Sequence, residues 1–269
     1  YLVLILVCIG VKSINGQFKN NGLPKINNFT KTDYNAGTQN WQIDQDTIGN
    51  IYFANNNGLL QFDGNSWQLY KIPNSSNIRS VKYDRTNGRI YVGGYNQFGY
   101  FESNLRGKLV FKSLLPLIDG TESKTTDFIW KIHIVNDEVV FQTFNKAYEI
   151  KTLEAPKRFQ FSFLVDNNLY FQDIEYGVFE YVNGVLIHLK GTEVLKNTEI
   201  WSILKMPNNA LLFALLEKGL YTYQNEVVTP WETEANDFVK KNSTLGGIAI
   251  LNNSLVFNTV LNGIIICNI

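Results

Sequence analysis

The stretch GNIYFANNNGLLQFDG, residues 49–64, contains two short apolar segments on either side of an asparagine-rich turn. The first segment covers 51–55, and the second begins at Gly58 and ends before the Asp63-Gly64 pair. Segments of this length bounded by Asn, Asp and Gly are typical of β-strands joined by tight turns. The stretch therefore predicts a β-hairpin.

Five further copies of this hairpin follow along the chain. The first strands of the six hairpins begin at Ile51, Ile90, Val139, Leu169, Leu211 and Leu255. Successive starts lie 30 to 49 residues apart, which is close to the roughly 40–50-residue period of a four-stranded propeller blade. Alternating apolar residues at 40–46 and 66–72 add one strand on each side of the first hairpin. The sequence therefore predicts an all-β fold, a β-propeller of four-stranded antiparallel blades over residues 40–269 with almost no helix.

The number of copies sets the number of blades. About six blades are expected in this sequence, the sixth incomplete, because the last copy reaches Ile269 within its third strand. Since a closed propeller leaves no exposed sheet edge, we expect seven blades in the full protein. The third blade has the least room, and its fourth strand is expected within 153–157 despite Pro156. Residues 18–39 precede the first blade and are expected to form a pre-blade segment or an outer strand.

The N-terminal residues indicate an exported protein. Residues 2–11 (LVLILVCIGV) form an apolar run of ten that is too short to span a bilayer, and polar and small residues follow it. This pattern predicts a signal peptide over residues 1–17 whose basic start lies upstream. A buried first strand is the alternative interpretation. Val7 before Cys8 disfavours a lipoprotein signal, which needs a small residue at that position.

The charge balance disfavours two classes of partner. The chain has 24 basic and 24 acidic residues, and no basic run is longer than two residues, as at Lys240-Lys241. Nucleic acids and anionic membranes are recognised by clustered positive charge, so we expect no nucleic acid to be bound by this segment.

Motifs for catalysis or cofactor binding are missing from the sequence. It has no P-loop, C-x-x-C, H-E-x-x-H or G-x-S-x-G pattern, so no cofactor, metal or catalytic residue is predicted. His133 and His188 alternate with apolar residues and are interpreted as strand-face residues. Acidic residues two positions apart, Asp44 with Asp46 and Asp173 with Glu175, are interpreted as solvated edges. A glycosidase pair drawn from two blades remains an alternative.

Residues at the starts of the innermost strands form the candidate ligand-binding site. A propeller places these starts, and the loops between its second and third strands, around the mouth of the central channel. The candidates are Trp41, Arg79, Trp130 and Trp201. Amides such as Asn56 and Asn96 lie in the loops. Aromatic rings with amides suit a sugar or a similar polar small molecule, because rings cover its apolar face while amides bind its hydroxyls. The tryptophans could instead belong to the cores between blades.

The first two copies resemble a known repeat family. Residues 46–59 match the pattern D-x-x-G-x-I-Y-x-x-x-x-x-G-L, and RIYVGG (89–94) with FGYF (98–101) continues the match in the second copy. These residues are similar to the two-component-regulator propeller repeats, and the other copies match more loosely. The resemblance implies the extracytoplasmic sensor region of a membrane-bound bacterial regulator, followed by an immunoglobulin-like domain, one membrane helix and a histidine kinase or helix-turn-helix output.

The resemblance also implies partners and a location. The implied partners are a small-molecule or oligosaccharide ligand and a second copy of the protein, in a homodimer formed through C-terminal regions outside this sequence. The implied location is the periplasm, with a membrane anchor. No enzyme activity is implied for this segment. Two other functions remain as alternatives: a secreted interaction scaffold, and an enzyme acting on polysaccharide.

Overall fold

Six antiparallel β-sheets follow one another along the chain in the computed structural model, which describes residues 26–73, 77–117, 127–148, 152–250 and 254–269. Five of these sheets have four strands and the last has three, and neighbouring strands in a sheet are neighbours in sequence. Each sheet is therefore one blade, and the predicted propeller of about six blades is confirmed. The predicted signal peptide, residues 1–17, lies outside the described residues, as do residues 18–25 of the predicted pre-blade segment.

The strands lie where the repeats predict them. Blades one to three comprise β1 (Asn40–Gln45), β2 (Ile51–Asn55), β3 (Gly58–Phe62), β4 (Trp67–Tyr70), β5 (Ile78–Tyr83), β6 (Ile90–Gly94), β7 (Gln97–Ser103), β8 (Leu109–Ser113), β9 (Lys131–Val135), β10 (Glu138–Gln142), β11 (Lys146–Tyr148) and β12 (Thr152–Glu154). Blades four to six comprise β13 (Phe159–Val165), β14 (Asn168–Asp173), β15 (Gly177–Val182), β16 (Val185–His188), β17 (Ile200–Lys205), β18 (Leu211–Leu215), β19 (Gly219–Gln224), β20 (Val227–Pro230), β21 (Thr244–Ile250), β22 (Ser254–Thr259) and β23 (Ile264–Asn268). The short fourth strand of blade three, β12, ends before Pro156.

Residues in the left-handed backbone conformation form the predicted tight turns. Gly64, between β3 and β4, has φ +95°, and Asn183 and Gly184, between β15 and β16, have φ +49° and +80°. Gly and Asn adopt this conformation at low cost, so these turns hold the register of the strands on either side.

Each pair of neighbouring blades shares one apolar core. Between blades one and two, for example, Tyr52 and Leu59 of the first sheet pack with Val81 and Ile90 of the second. Equivalent clusters lie between the other consecutive blades. A single blade cannot cover its own faces, so the cores join the sheets into one array.

The residues before β1 pack on the outer face of blade one. Residues 26–39 form no strand, and a short helix, α1 (Lys31–Tyr34), lies among them. The Phe29 and Tyr34 ring centroids are 5.3 Å and 5.5 Å from that of Trp67. Trp67 also stacks on Phe62 at 4.5 Å. This segment thus covers aromatic residues on the face turned away from blade two.

One longer helix, α2 (Glu234–Asn242), connects blades five and six. Its N-cap is Thr233, whose side chain accepts a hydrogen bond from the Asn236 amide at 3.3 Å. Val239 of this helix is buried against the core shared by these blades. Within the described ranges, no helix has both the length and the apolar character needed to cross a membrane.

Blade six has an apolar face without a covering blade in the described part of the chain. Leu255 and Phe257 of β22 face blade five and are buried. On the opposite face Ile264 and Ile266 of β23 are exposed, as is Ile248 of β21. The sixth sheet therefore presents an apolar surface to solvent.

Candidate functional site

A β-bulge interrupts the innermost strand of most blades near its first residues. In blade one Asn40 pairs with Asn55 and Gln42 with Ala54, so Trp41 is the extra residue. The same shift leaves Arg79 extra in blade two and Trp201 extra in blade five. A bulge re-aims the side chain of the inserted residue. Three of the four predicted site residues therefore occupy one equivalent position.

Trp130 occupies the corresponding position in blade three. Its amide donates to the Gln142 carbonyl at 2.8 Å, and Lys131 also pairs with Gln142. In blade four the shift falls between Phe159 and Ser162, and in blade six Leu245 is the extra residue. We call these positions the bulge ring, and its members are Trp41, Arg79, Trp130, Phe161, Trp201 and Leu245.

Arg79 is enclosed by aromatic rings from three parts of the chain. Its guanidinium carbon lies 3.6 Å from the ring centroid of Trp41, 4.6 Å from that of Phe128 and 5.8 Å from that of Trp130. Such contacts are cation–π interactions. Burial lowers the pKa of Arg79 from its ordinary value, but arginine remains charged in proteins. The enclosure holds a planar cation in a fixed orientation.

The aromatic cluster around Arg79 also joins blades one and three. The centroids of Trp41 and Trp130 are 6.2 Å apart with the rings nearly perpendicular. Trp130 also contacts Phe128 at 5.6 Å and Phe144 at 5.2 Å. These contacts place Trp41, Arg79 and Trp130 in one group.

Asn56 joins this group through its side-chain amide oxygen. The Trp41 Nε1–H donates to Asn56 Oδ1 at 2.8 Å, and an Arg79 terminal N–H donates to the same oxygen at 3.4 Å. Two other donors, Arg79 Nε and Trp130 Nε1, are buried without an acceptor among the described residues. A buried donor without an acceptor costs free energy. The group therefore has unused hydrogen-bonding capacity beside apolar ring faces.

Trp201 belongs to a second group. Its ring centroid is 5.1 Å from that of Phe161, and its Nε1–H donates to Glu199 at 3.2 Å. In the described part of the chain it has no ring contact with Trp41 or Trp130. The sequence predicts one site with four residues, and the structure places them in two groups on the same ring of positions.

The burial of the three tryptophans tests the alternative that they belong to the cores between blades. Trp41 is 39% exposed, and Trp130 and Trp201 are half-buried. None of the three is among the buried residues of the five inter-blade cores. They lie instead at the starts of the innermost strands.

Sequence reasoning missed two aromatic residues of the first group. Phe128 lies in the connection between blades two and three, and Phe144 lies in the turn between β10 and β11. Phe144 also stacks with the guanidinium of Arg158 at 4.6 Å. Their positions in the sequence could have identified them. Phe128 precedes Trp130 by two residues, and Phe144 lies in a loop between the second and third strands of its blade, the kind of loop expected at the channel mouth.

Both histidines have hydrogen-bond partners within the fold. His133 Nε2 donates to Ser162 Oγ at 2.8 Å, and Ser162 donates in turn to Gln142. Removal from water and the positive charges of Lys131 and Lys82 lower the pKa of His133 to about 3. His188 lies far along the fourth blade, where its Nε2 donates to the Tyr176 carbonyl at 2.8 Å.

One of the paired acidic residues, Asp173, is not exposed to solvent as the sequence predicts. Asp173 is buried rather than solvated, and its oxygens accept hydrogen bonds from the backbone amides of Lys157, Arg158 and two residues that follow it. The interpretation of Asp173 as a solvated edge is therefore wrong, because it closes the turn between β14 and β15. Asp44 bonds to the Lys82 ammonium at 3.2 Å.

Comparison with known proteins supports the fold. No family model matches the sequence, and no curated protein sequence matches it. Virginiamycin B lyase from Staphylococcus aureus is similar in structure, with a TM-score of 0.56 and 14% identity over 86% of this chain and 85% of that one. PorZ, a surface component of the type-IX secretion system of Porphyromonas gingivalis, has a TM-score of 0.56 and 12% identity over 82% of this chain and 37% of that one.

A third similar structure comes from the class of proteins that the repeats resemble. It is the extracellular domain of the hybrid two component system BT3049 from B. thetaiotaomicron, with a TM-score of 0.53 and 16% identity. The match covers 90% of this chain and 35% of that one. At these identities the likeness shows a shared propeller fold.

Proposed function

We propose that this propeller is the extracytoplasmic ligand-sensing region of a membrane-bound bacterial regulator, and that it recognises a saccharide at the channel mouth. The observation that carries the proposal is the group of Trp41, Arg79 and Trp130, which combines aromatic faces with two unmet hydrogen-bond donors. Membrane attachment and signal output are assigned to regions beyond this segment.

The chemistry of the group suits a saccharide. One face of a sugar ring carries C–H groups that pack on an indole, while its hydroxyls need donors and acceptors at the edge. Arg79 Nε and Trp130 Nε1 are buried donors without acceptors among the described residues, and a hydroxyl that enters between the rings would be their acceptor. The guanidinium is already held by stacking on Trp41, so little side-chain entropy remains to be lost when a ligand binds.

Two further observations support sensing over the alternatives. The repeats at 46–59 and 89–101 resemble those of two-component regulators, and a sensor-class extracellular domain shares the fold. Hydrolysis of a glycosidic bond ordinarily uses two carboxyl groups that flank it. The group around Arg79 contains rings, an amide and a cation.

Binding to a panel of neutral oligosaccharides tests the proposal. The full-length protein, Arg79→Ala and Trp130→Phe would be compared by isothermal titration calorimetry. Each change removes a donor that has no acceptor among the described residues, so we expect affinity to fall by about tenfold or more. Trp67→Phe is the matched control, because Trp67 Nε1 is also buried without a partner in the described part of the chain but lies on the outer strand of blade one. Unchanged affinity in folded Arg79→Ala and Trp130→Phe would overturn this site.

A further inference from the structure

A cavity of 570 Å³ lies beside the second group of aromatic residues. Its walls are the innermost strands of blades four, five and six, together with Lys131 on the innermost strand of the adjacent blade three. The volume falls within the range of about 300–1,000 Å³ that small-molecule sites occupy. Four consecutive blades thus line a space of ligand size.

Lys131 brings a positive charge to this cavity without a matching negative charge. Its side chain is half-buried, and burial lowers its pKa. No carboxylate in the described ranges forms an ion pair with it, whereas Lys82 on the neighbouring inner strand pairs with Asp44 at 3.2 Å. A half-buried ammonium is stabilised when an anion binds to it.

The other charged groups around the cavity do not neutralise Lys131. Asp166 and Lys205, one acidic and one basic residue, line the cavity beside the far ends of β13 and β17. Glu199 is engaged by Trp201 at 3.2 Å and by the Gln160 amide at 3.3 Å. His133 is neutral near pH 7 because its pKa is about 3.

The cavity also offers a hydroxyl and an aromatic face. Ser202 lines it, is 6% exposed, and its Oγ is buried without a partner among the described residues. Phe161 and Trp201 line the same cavity near its mouth. The lining therefore combines the Lys131 ammonium, a hydroxyl without a partner among the described residues and a pair of aromatic rings.

We propose that this cavity binds the carboxylate-bearing ring of an acidic saccharide, with the Lys131 ammonium on the carboxylate and Trp201 against the sugar ring. The inference rests on the proposed function and names its ligand class more closely. A neutral sugar would leave the Lys131 charge unpaired, whereas a uronic acid supplies a carboxylate and hydroxyls on one ring. Trp201 contacts the acidic sugar ring in this cavity. The group of Trp41, Arg79 and Trp130 binds a neutral sugar ring of the same oligosaccharide.

The experiment compares glucuronic acid with its methyl ester, which keeps the shape of the ring and loses the charge. Titrations of the full-length protein are followed by calorimetry at low and high salt. We expect the acid to bind about tenfold more tightly than the ester, because charge-assisted hydrogen bonds are the stronger kind. The preference should shrink as salt screens the pair.

Three variants test whether Lys131 causes the tighter binding of the acid than of its methyl ester. Lys131→Met, which keeps most of the length of the stem, should bind acid and ester equally, and Lys131→Arg should retain the preference. Lys112→Met is the matched control, because Lys112 is exposed on the outer strand β8 of blade two and does not line the cavity, and it should behave like the wild type. Circular dichroism melting checks that each variant is folded.

The outcomes separate this inference from the proposed function. Equal binding of acid and ester by the wild type, or a preference that survives in Lys131→Met, overturns the acidic-saccharide site. Failure of acid and ester to bind at all overturns it too. If neutral oligosaccharides still bind and Arg79→Ala still weakens them, the proposed function stands without it. If the acid preference holds while Arg79→Ala has no effect, the site at Arg79 fails instead.

Discussion

The guanidinium carbon of Arg79 lies 3.6 Å above the ring of Trp41, although the two residues belong to different blades. Each is the extra residue of a bulge, so the same local irregularity in two neighbouring sheets brings their side chains into contact. The pair links blades one and two at the channel mouth, outside the apolar core that joins them.

The Arg79–Trp41 pair should contribute measurably to stability. In a double-mutant cycle of Arg79→Ala, Trp41→Ala and the combined variant, we expect a coupling free energy of about 0.5–1 kcal/mol, because the pair is partly exposed. Urea unfolding gives the four free energies. A coupling near zero would show that the stacking contributes nothing beyond separate packing.

Gly93 is expected to tolerate no side chain. A Cβ at this position would lie 2.6 Å from Ser80 Oγ and overlap Ile129, next to Trp130. Gly93→Ala should therefore lower the free energy of unfolding by about 3 kcal/mol, at the upper end of the range for overpacked cores. Gly107→Asn is the control, since space around Gly107 is open and Asn accepts its φ of +74°. Similar melting temperatures for both variants would contradict this prediction.

The stability of the fold should depend on His133 at low pH. Its pKa falls from the ordinary 6.5 to about 3 on folding, so below pH 6.5 the unfolded chain binds a proton that the folded chain does not. Stability is therefore expected to fall as pH decreases from 6.5 towards 3. In His133→Gln, which can still donate to Ser162, the loss between about pH 7.5 and about pH 4.5 should be smaller. His188→Gln should lose as much stability as the wild type, as measured by urea unfolding at both pH values.

In a protein expressed as residues 18–269 alone, the exposed face of blade six should promote self-association. Ile266 on β23 is 60% exposed beside Ile264, and apolar strands at the edge of a sheet pair readily with other chains. Ile266→Lys should therefore reduce aggregation in light-scattering measurements. Val185→Lys removes an equally exposed residue, 58%, from the outer strand of blade four and should have little effect. If both changes act equally, general solubility rather than the face of blade six is the cause.

Much of the fold can be predicted from the sequence because its signals are local. The hairpin at 49–64 carries its own turn residues, and its copies repeat the same alternation. Helix α2 was not foreseen, since its signal was limited to the Thr233 cap and one short turn of acidic residues. The interpretation of Asp173 failed because an acidic residue in a turn has the same sequence pattern whether it faces water or the backbone.

The candidate site could be predicted only in part. The positions of Trp41, Arg79 and Trp130 follow from the topology of a propeller, which places the starts of inner strands at one end. The bulges that aim these side chains have no sequence signal of their own, because one extra residue changes the pairing without changing the alternation noticeably. The separation of Trp201 from the other three depends on the distance across the channel, which the repeats do not encode.

The bulge ring separates recognition from folding. Its six side chains occupy equivalent positions of six blades and come from points spread over most of the chain, and the inter-blade cores form without them. Randomising these six residues together would therefore give a library of propellers that share one scaffold and differ in the surface formed by the bulge ring. The position of a single inserted residue in each inner strand makes the fold a natural starting point for selecting new binders.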